Sequence, residues 1–132
     1  MIYLLDTHYM LWCIADVHKL SKQAKNIITD GTNIILVSTV SFWEVSLKSS
    51  LGKLKLTGFS PDALPQVCTD MGFEIETLSA KDSSSYHNLT AAYHRDPFDR
   101  MLIWQAIQNG YTLISKDKDI KKYQVEGLEI IT

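Results

Sequence analysis

The chain has 132 residues, of which 45% are hydrophobic and 21% are charged, and its formal net charge is -2. This length and balance predict a single domain over residues 1–132 with a sizeable core. They exclude a disordered chain and a protein whose whole surface is basic. Any contact with a polyanion must therefore depend on a local cluster of positive side chains.

Cysteine usage and the amino-terminal sequence bear on where the protein resides. Cys13 and Cys68 lack CxxC spacing and nearby histidines arranged as zinc ligands, so we expect buried free thiols. The first residues lack the basic and long apolar parts of a signal peptide. No run approaches the roughly 20 apolar residues that span a bilayer. We therefore expect a cytoplasmic protein with no membrane contact.

Apolar patterns and turn residues predict alternating strands and helices. In chain order these are strand Ile2–Leu5, helices Thr7–Ala15 and Lys22–Thr29, strand Ile34–Val37, helix Ser38–Ser50, a helix from Pro61 to Met71, strand Phe73–Thr77, helical segments over Ala80–Tyr93, helix Pro97–Asn109, and strands Thr112–Ser115 and Leu128–Ile131.

The composition of three of these elements predicts where they lie in the fold. Ile34–Val37 is continuously apolar, as expected of a parallel strand covered on both faces. Phe73–Thr77 alternates and should lie nearer the sheet edge. Pro97–Asn109 is apolar on more than one face and should be largely buried. Strands separated by helices predict an α/β fold, with a central parallel sheet of about five strands flanked by helices.

Four acidic residues fall at positions where a parallel α/β sheet commonly binds ligands. Asp6 and Asp117 follow the ends of predicted strands, and Glu44 and Asp99 lie near the starts of predicted helices. These positions meet at the carboxyl edge of a parallel sheet. Two carboxylates ~4 Å apart repel by about 4 kcal/mol at an effective dielectric near 20, so a cluster needs cations or shared protons. The pattern therefore suggests a site for Mg²⁺ or Mn²⁺, which prefer oxygen ligands.

Each acid also has a purely structural interpretation. The run Ser41–Glu44 matches a capping box, in which the glutamate bonds back to the cap residue. The run Asp96–Asp99 has the composition of a helix start, with proline at its first position. Asp6 fits an ordinary helix cap and Asp117 an ordinary turn. On spacing alone, the two interpretations are evenly balanced.

Four short segments carry further information, and they span nearly the whole chain. They are Leu4-Leu5-Asp6-Thr7-His8, Ser41-Phe42-Trp43-Glu44-Val45, His94-Arg95-Asp96-Pro97-Phe98-Asp99-Arg100-Met101-Leu102-Ile103, and Leu113-Ile114-Ser115-Lys116-Asp117. In this order they resemble PIN-domain ribonucleases, specifically the VapC-like toxins of type II toxin-antitoxin pairs. The Asp-Pro-Phe-Asp-Arg run is the most specific of the matches.

The resemblance implies a PIN-like fold and a metal-dependent endoribonuclease that hydrolyses RNA phosphodiester bonds as a toxin. Asp6, Glu44, Asp99 and Asp117 would then be the catalytic, metal-binding quartet for Mg²⁺ or Mn²⁺, with Asp6 and Asp99 as the direct ligands. RNA, a cognate antitoxin and a second copy of the chain would be its partners. The alternative is a catalytically silent PIN-like module that binds RNA or protein. Retention of all four acids argues against that alternative.

Three neighbouring residues receive supporting roles by the same resemblance. Ser115 stands where the family more often has threonine, and its hydroxyl is predicted to hold Asp6 or an ordered water. Thr7 is predicted to act in the same way. Asp96 is sufficiently explained as a helix cap, and we place it behind the ligands.

Basic and imidazole side chains near the acids are harder to assign. Arg95, Arg100 and Lys116 are predicted to contact the RNA, although pairing of either arginine with an acid of the site stays open. His8 and His94 lie beside acids and have the chemistry of proton shuttles. Structural imidazoles are commoner, so we predict no catalytic role for either histidine.

Overall fold

The fold is built on a parallel sheet in which every strand is short. The computed structural model describes residues 1–132, and its strands are β1 (Ile2–Leu5), β2 (Ile34–Ser38), β3 (Glu74–Glu76), β4 (Thr112–Ile114) and β5 (Glu129–Ile131). They form one five-stranded sheet in the order β3-β2-β1-β4-β5. All neighbouring strands pair in parallel, which confirms the predicted α/β fold and the edge position of β3.

Helices connect the strands as the sequence predicted for most of the chain. They are α1 (Thr7–Ala15), α2 (Lys22–Thr29), α3 (Thr39–Ser50), α4 (Leu64–Asp70), α5 (Ala80–Ser85), α6 (Pro97–Asn109) and α7 (Lys118–Lys121). Short 3₁₀ turns occur at Val17–Lys19, Pro61–Ala63, Tyr86–Asn88 and Lys122–Glu126. None of the helices combines the length and apolarity that crossing a bilayer requires.

The core consists of two apolar clusters, one on each face of the sheet. Tyr3 and Leu5 of β1 belong to one cluster, and Leu4 between them belongs to the other. This is the alternation of side chains that a strand imposes. The free thiols of Cys13 and Cys68 are buried in the first cluster, as predicted. Burial on both faces explains why β1 and the segment Ile34–Val37 of β2 are continuously apolar.

Helix α3 begins earlier than the capping-box interpretation required. Ser38 is its cap residue, and the Ser38 hydroxyl accepts a hydrogen bond from the amide of Val40 at 3.1 Å. Ser41 and Glu44 therefore lie inside the helix, and the capping-box interpretation of Ser41–Glu44 is wrong. Their side chains are free to take part in tertiary contacts.

Two other local predictions need correction. The predicted helical stretch Ala80–Tyr93 stops being helical after the 3₁₀ turn Tyr86–Asn88, and an irregular loop leads to α6. The carbonyls of Leu89 and Ala91 in this loop accept hydrogen bonds from Arg100, which replace the helical ones. Asp117, interpreted as a possible turn, instead caps the short helix α7, which the sequence did not reveal.

Candidate active site

An aspartate caps the helix that follows each of the adjacent strands β1 and β4: Asp6 comes directly after β1, and Asp117 comes shortly after β4. Asp6 caps α1, and its Oδ1 accepts a hydrogen bond from the amide of Tyr9 at 2.7 Å. Asp117 caps α7, and its Oδ1 accepts from the amides of Asp119 at 2.8 Å and Ile120 at 3.1 Å. Because β1 and β4 are parallel neighbours, both caps lie at the carboxyl edge of the sheet. Capping therefore leaves both aspartates at this edge of the sheet.

Glu44 reaches the same edge from the second turn of α3. It is buried, and its Oε1 accepts a hydrogen bond from the Thr7 hydroxyl at 2.7 Å. The same hydroxyl bonds with that of Ser41 at 2.9 Å. Lys48, one helical turn further, forms an ion pair with Oε2 of Glu44. Thr7 thus supports Glu44 instead of Asp6, and Lys48 joins the site although sequence reasoning missed it; its i, i+4 spacing from Glu44 was the available signal.

Asp99 enters the site from the first turn of α6. Asp96 caps this helix, with its Oδ1 accepting from the amides of Phe98 at 2.8 Å and Asp99 at 3.2 Å. Burial, followed by repulsion from Asp96 and Glu44, raises the pKa of Asp99 to about 7. Asp96 therefore has two effects, since it starts the helix and also disfavours charge on its neighbour.

Burial likewise raises the pKa of Asp6 to about 6, although hydrogen bonding by the Ser115 hydroxyl and by the Tyr9 amide opposes the change. Repulsion by Asp117 adds to the increase. Asp6 in turn contributes to the raised pKa of Asp99. The four predicted acids are therefore one electrostatic cluster, although they come from separate parts of the chain.

Asp117 differs from Asp6 and Asp99 in the direction of its pKa change. Partial burial disfavours its charged form, but hydrogen bonds from the amides of Ile120 and Asp119 and from His94 outweigh burial and lower the pKa of Asp117. Its side chain remains 37% exposed. Asp117 consequently stays ionised more easily than Asp6 and Asp99.

His94 lies among the acids, where the sequence analysis gave it no role. Its Nε2 is 3.2 Å from Oδ2 of Asp99 and 3.1 Å from Oδ2 of Asp117. Its Nδ1 accepts a hydrogen bond from the amide of Asp96 at 3.1 Å. The irregular loop before α6 gives no periodicity from which this placement follows. Its position two residues before the Asp-Pro-Phe-Asp-Arg run was the only signal.

Arg100 is directed into the protein and not towards a substrate. Its guanidinium donates to the Tyr86 and Tyr123 hydroxyls at 2.7 and 2.8 Å, and to the carbonyls of Ala91 and Leu89 at 2.7 and 2.6 Å. These contacts occupy most of the guanidinium N–H donors. The prediction that Arg100 binds substrate is therefore revised, and its role is to hold the loop before α6.

The other predicted substrate-binding residues are exposed near the acids. Lys116 lies in a cleft with Asp6, His8, Trp12 and Asp117. Its Nζ donates to the carbonyl of Lys19 at 2.5 Å and lies 5.4 Å from the centre of the Trp12 ring. Arg95 is exposed on the loop before α6. Both side chains can meet a polyanion that approaches the carboxyl edge.

The donor set fits a hard divalent cation. Four carboxylates supply the oxygen ligands that Mg²⁺ and Mn²⁺ prefer. Burial and mutual repulsion raise the pKa of both Asp6 and Asp99, and a cation among them would relieve that repulsion. Side-chain atoms of His94, Asp99 and Asp117 also lie within 4.8 Å of one another. The chemistry of the residues present therefore agrees with a metal site.

The parallel sheet and the acids at its carboxyl edge define an open α/β domain with an acidic site. The chain belongs to the PIN-domain family, because the family model described as "PIN domain" matches residues 3–126. A curated relative, Ribonuclease VapC22 of Mycobacterium tuberculosis (strain ATCC 25618 / H37Rv), is 23% identical over 125 residues. That alignment covers 92% of this chain and 91% of the relative.

Solved structures share the fold at low sequence identity. VapBC2 from Rickettsia felis, crystallised with a DNA fragment from its promoter, has a TM-score of 0.70 at 19% identity, covering 99% of this chain and 98% of the other. DNA-bound VapBC from Salmonella typhimurium has a TM-score of 0.66 at 13% identity, covering 99% and 97%. FitAcB from Neisseria gonorrhoeae has a TM-score of 0.63 at 16% identity, covering 100% and 97%.

Proposed function

We propose that the protein is a metal-dependent endoribonuclease that hydrolyses RNA phosphodiester bonds and acts as the toxin of a toxin-antitoxin pair. The observation that carries this proposal is the convergence of Asp6, Glu44, Asp99 and Asp117 into one cluster. The family assignment supports it, as does the relative that is itself named a ribonuclease. Residues 1–132 act in this proposal as a single domain.

Asp6 and Asp99 are the residues we assign as direct ligands of Mg²⁺ or Mn²⁺. Their burial and raised pKa are what a cation would compensate. Glu44 and Asp117 act partly through water in this assignment. When bound, Mg²⁺ or Mn²⁺ supplies a lowered pKa for an attacking water and positive charge beside the leaving oxygen.

Residues around the ligands position the acids and the substrate. The Thr7 hydroxyl and Lys48 fix the carboxylate of Glu44. Ser115 stabilises the ionised form of Asp6, and Asp96 fixes the start of α6 beneath Asp99. Lys116 and Arg95 are exposed and attract the RNA backbone. Such phosphate contacts make affinity fall as salt rises.

A cognate antitoxin and a second copy of this chain complete the proposed set of protein partners. The solved structures with this fold include the VapBC complexes and FitAcB described above. An acidic cluster open to the surface is also a site that a basic side chain of an antitoxin would neutralise. Inhibition would then act on the same carboxylates that hold the metal.

A catalytically silent module that binds RNA or protein is the competing function. Purified protein is incubated with pooled cellular RNA in Mg²⁺, in Mn²⁺ and with chelator, beside the Asp99→Asn variant and an Asp62→Asn surface control. We expect discrete fragments that require both metal and Asp99, with Asp62→Asn as active as the native protein. Absence of metal-dependent cleavage by folded protein across the whole pool would favour the silent module.

A further inference from the structure

One imidazole bridges two of the proposed ligands. His94 Nε2 lies within hydrogen-bond distance of Oδ2 on both Asp99 and Asp117, at 3.2 and 3.1 Å. Asp99 belongs to α6 and Asp117 to the junction between β4 and α7. The two carboxylates therefore come from different elements, and His94 is a side chain that contacts both.

The backbone around His94 fixes which ring nitrogen carries the proton. The amide of Asp96 donates to Nδ1 at 3.1 Å, so Nδ1 must offer a lone pair. A neutral imidazole has one donor and one acceptor nitrogen, and its proton is then on Nε2. Nε2 thus presents a hydrogen to the carboxylates. In this tautomer Nε2 has no lone pair to offer a cation.

A hydrogen-bonded clamp holds His94 in this position. The amide of His94 donates to the Tyr123 hydroxyl at 3.2 Å, and the same hydroxyl donates to the carbonyl of Ala91 at 2.9 Å. Arg100 donates to the carbonyls of Ala91 and His94, at 2.7 and 3.4 Å. Tyr123 is fully buried. Backbone and ring are therefore both fixed, which is unusual for an irregular loop.

We propose that His94 is a positioning residue of the metal site, a neutral donor that orients the carboxylates of Asp99 and Asp117 and is not itself a metal ligand. This inference rests on the proposed function, since it concerns the same metal site. Ligating carboxylates are commonly oriented by such outer donors, and loss of one typically weakens metal affinity by about 10- to 100-fold.

The opposite assignment, with His94 as a nitrogen ligand, has a specific requirement. Nε2 would need to lose its proton, and Nδ1 would then carry it against the amide of Asp96. Two N–H donors would face each other at the present separation of 3.1 Å. That arrangement loses one hydrogen bond and adds repulsion, so the clamp around His94 favours the donor role.

The tautomer is measured by NMR on protein labelled with ¹⁵N-histidine, in chelator and at mildly alkaline pH. We expect a protonated Nε2, an unprotonated Nδ1, and an Nε2–H proton protected from exchange with water. A proton on Nδ1 would overturn the proposal. This readout involves no metal, so it stands even if the protein fails to bind cations and the proposed function is itself wrong.

Metal affinity is then measured with Mn²⁺ alone, counting free ions by electron paramagnetic resonance. His94→Ala should bind Mn²⁺ about 10- to 100-fold more weakly than the native protein. His94→Gln keeps an N–H donor near the position of Nε2 and should recover affinity to within about threefold of native. The surface variant His18→Ala should match the native protein.

Three results would contradict the donor role. The first is unchanged Mn²⁺ affinity in His94→Ala, and the second is equal weakening in the alanine and glutamine variants. The third is a coupling between bound Mn²⁺ and a histidine ¹⁵N nucleus that disappears in His94→Gln, because such a coupling requires direct coordination. Weaker binding in the alanine variant, recovery in the glutamine variant and no such coupling would together support the proposal.

Discussion

The two strand-to-helix junctions at β1 and β4 share one local design and differ in electrostatics. In each, an aspartate follows a buried strand and caps a helix through backbone amides. Asp6 is only 3% exposed, and burial raises its pKa to about 6. Asp117 has a side chain that is 37% exposed, and its hydrogen bonds lower its pKa despite partial burial.

This difference shows that the capping motif does not decide whether an acid holds unfavourable charge. Burial, neighbouring carboxylates and the number of hydrogen bonds to the carboxylate together decide it. Asp6 lies with Asp99 in the buried part of the cluster, where charge is costly without a cation. Asp117 lies at the exposed rim, where protein donors already satisfy it. The junction that contains Asp6, the buried junction, should therefore depend on metal more strongly than the junction that contains Asp117, the exposed junction.

Removing charge from each junction should have unequal effects on RNA cleavage. Asp6→Asn deletes a proposed direct ligand, which is worth several kcal/mol of charge stabilisation, so we expect a loss of at least ~1,000-fold. Asp117→Asn should cost about 10- to 100-fold, as for a residue that acts on the metal through water. Single-turnover cleavage at saturating Mg²⁺ measures both, with Asp62→Asn as the surface control.

Equal losses of cleavage activity in Asp6→Asn and Asp117→Asn would mean that the two junctions do not differ in their dependence on metal. Both substitutions nearly preserve side-chain volume, so each variant should fold. Circular dichroism and thermal unfolding check that it does. Full activity in Asp6→Asn would contradict the assignment of Asp6 as a ligand. A larger loss in Asp117→Asn would place the essential ligand at the exposed junction.

The dependence of folding stability on pH should have opposite signs for the two buried acids, Asp6 and Asp99, and for the exposed acid, Asp117. A folded-state pKa above the usual 3.8 means that the folded protein binds protons more readily between about pH 4 and 7. Asp6 and Asp99 should therefore destabilise the protein in chelator as pH rises through this range, by about 3 kcal/mol for Asp6 and about 4 kcal/mol for Asp99. The lowered pKa of Asp117 contributes stability above about pH 4, which is lost only in stronger acid.

Substitution tests that sign directly. Asp99→Asn should flatten the decline and make the protein more stable than native at pH 8, with little difference near pH 5. Asp117→Asn should instead lower stability, and the loss should be the same at every pH from 5 to 8. Urea unfolding in chelator at several pH values measures both. A native stability that rises from pH 5 to 8 would contradict the raised pKa values.

The Tyr123 hydroxyl should affect the exposed junction more than the buried one. It bonds with the amide of His94, the carbonyl of Ala91 and the guanidinium of Arg100, and His94 in turn contacts Asp117. Tyr123→Phe should destabilise the protein by about 2 kcal/mol, the cost of leaving buried polar groups unpaired. We expect cleavage to fall about tenfold, as for Asp117→Asn.

Unfolding and cleavage assays on Tyr123→Phe, with the exposed Tyr93→Phe as the matched control, test this expectation. A loss as large as that of Asp6→Asn would mean that the loop before α6 also supports the buried junction. Unchanged stability would mean that the clamp contributes nothing.

Much of the fold could be predicted because local signals agreed with the tertiary structure. Strand Ile2–Leu5 and helices Thr7–Ala15 and Pro97–Asn109 have the bounds that were predicted. Gly110, which ends the last of these helices, has a φ of 71°, a conformation that glycine adopts without strain. The loop before α6 could not be predicted, since Arg100 and Tyr123 hold it through long-range hydrogen bonds.

The candidate site was predictable only in part for the same reason. The acids could be located because strand ends and helix starts converge in a parallel sheet. The places of His94 and Arg100 depend on side-chain contacts, and composition does not encode whether a basic group faces a substrate or a carbonyl. Thr7 was predicted to hold Asp6 or an ordered water, whereas its hydroxyl donates to Glu44. Glu44 lies one turn further into α3 than the capping-box interpretation implied.

Ser115 links the two junctions and should show the smallest effect. Its hydroxyl accepts a hydrogen bond from the amide of Asp117 at 3.1 Å, and its hydrogen bonding lowers the pKa of Asp6. In Ser115→Ala the pKa of Asp6 should rise further, so more of Asp6 is protonated near pH 6. We expect about threefold slower cleavage there, with recovery at pH 8, because metal binding requires the carboxylate.

The pH profile of Ser115→Thr provides the matched control, since threonine keeps the hydroxyl. Its profile should follow that of the native protein, whereas Ser115→Ala should shift only the acidic limb. A uniform loss at every pH in Ser115→Ala would mean that Ser115 acts through the backbone of Asp117 alone. The serine would then belong to the exposed junction, and the two junctions would be electrostatically separate.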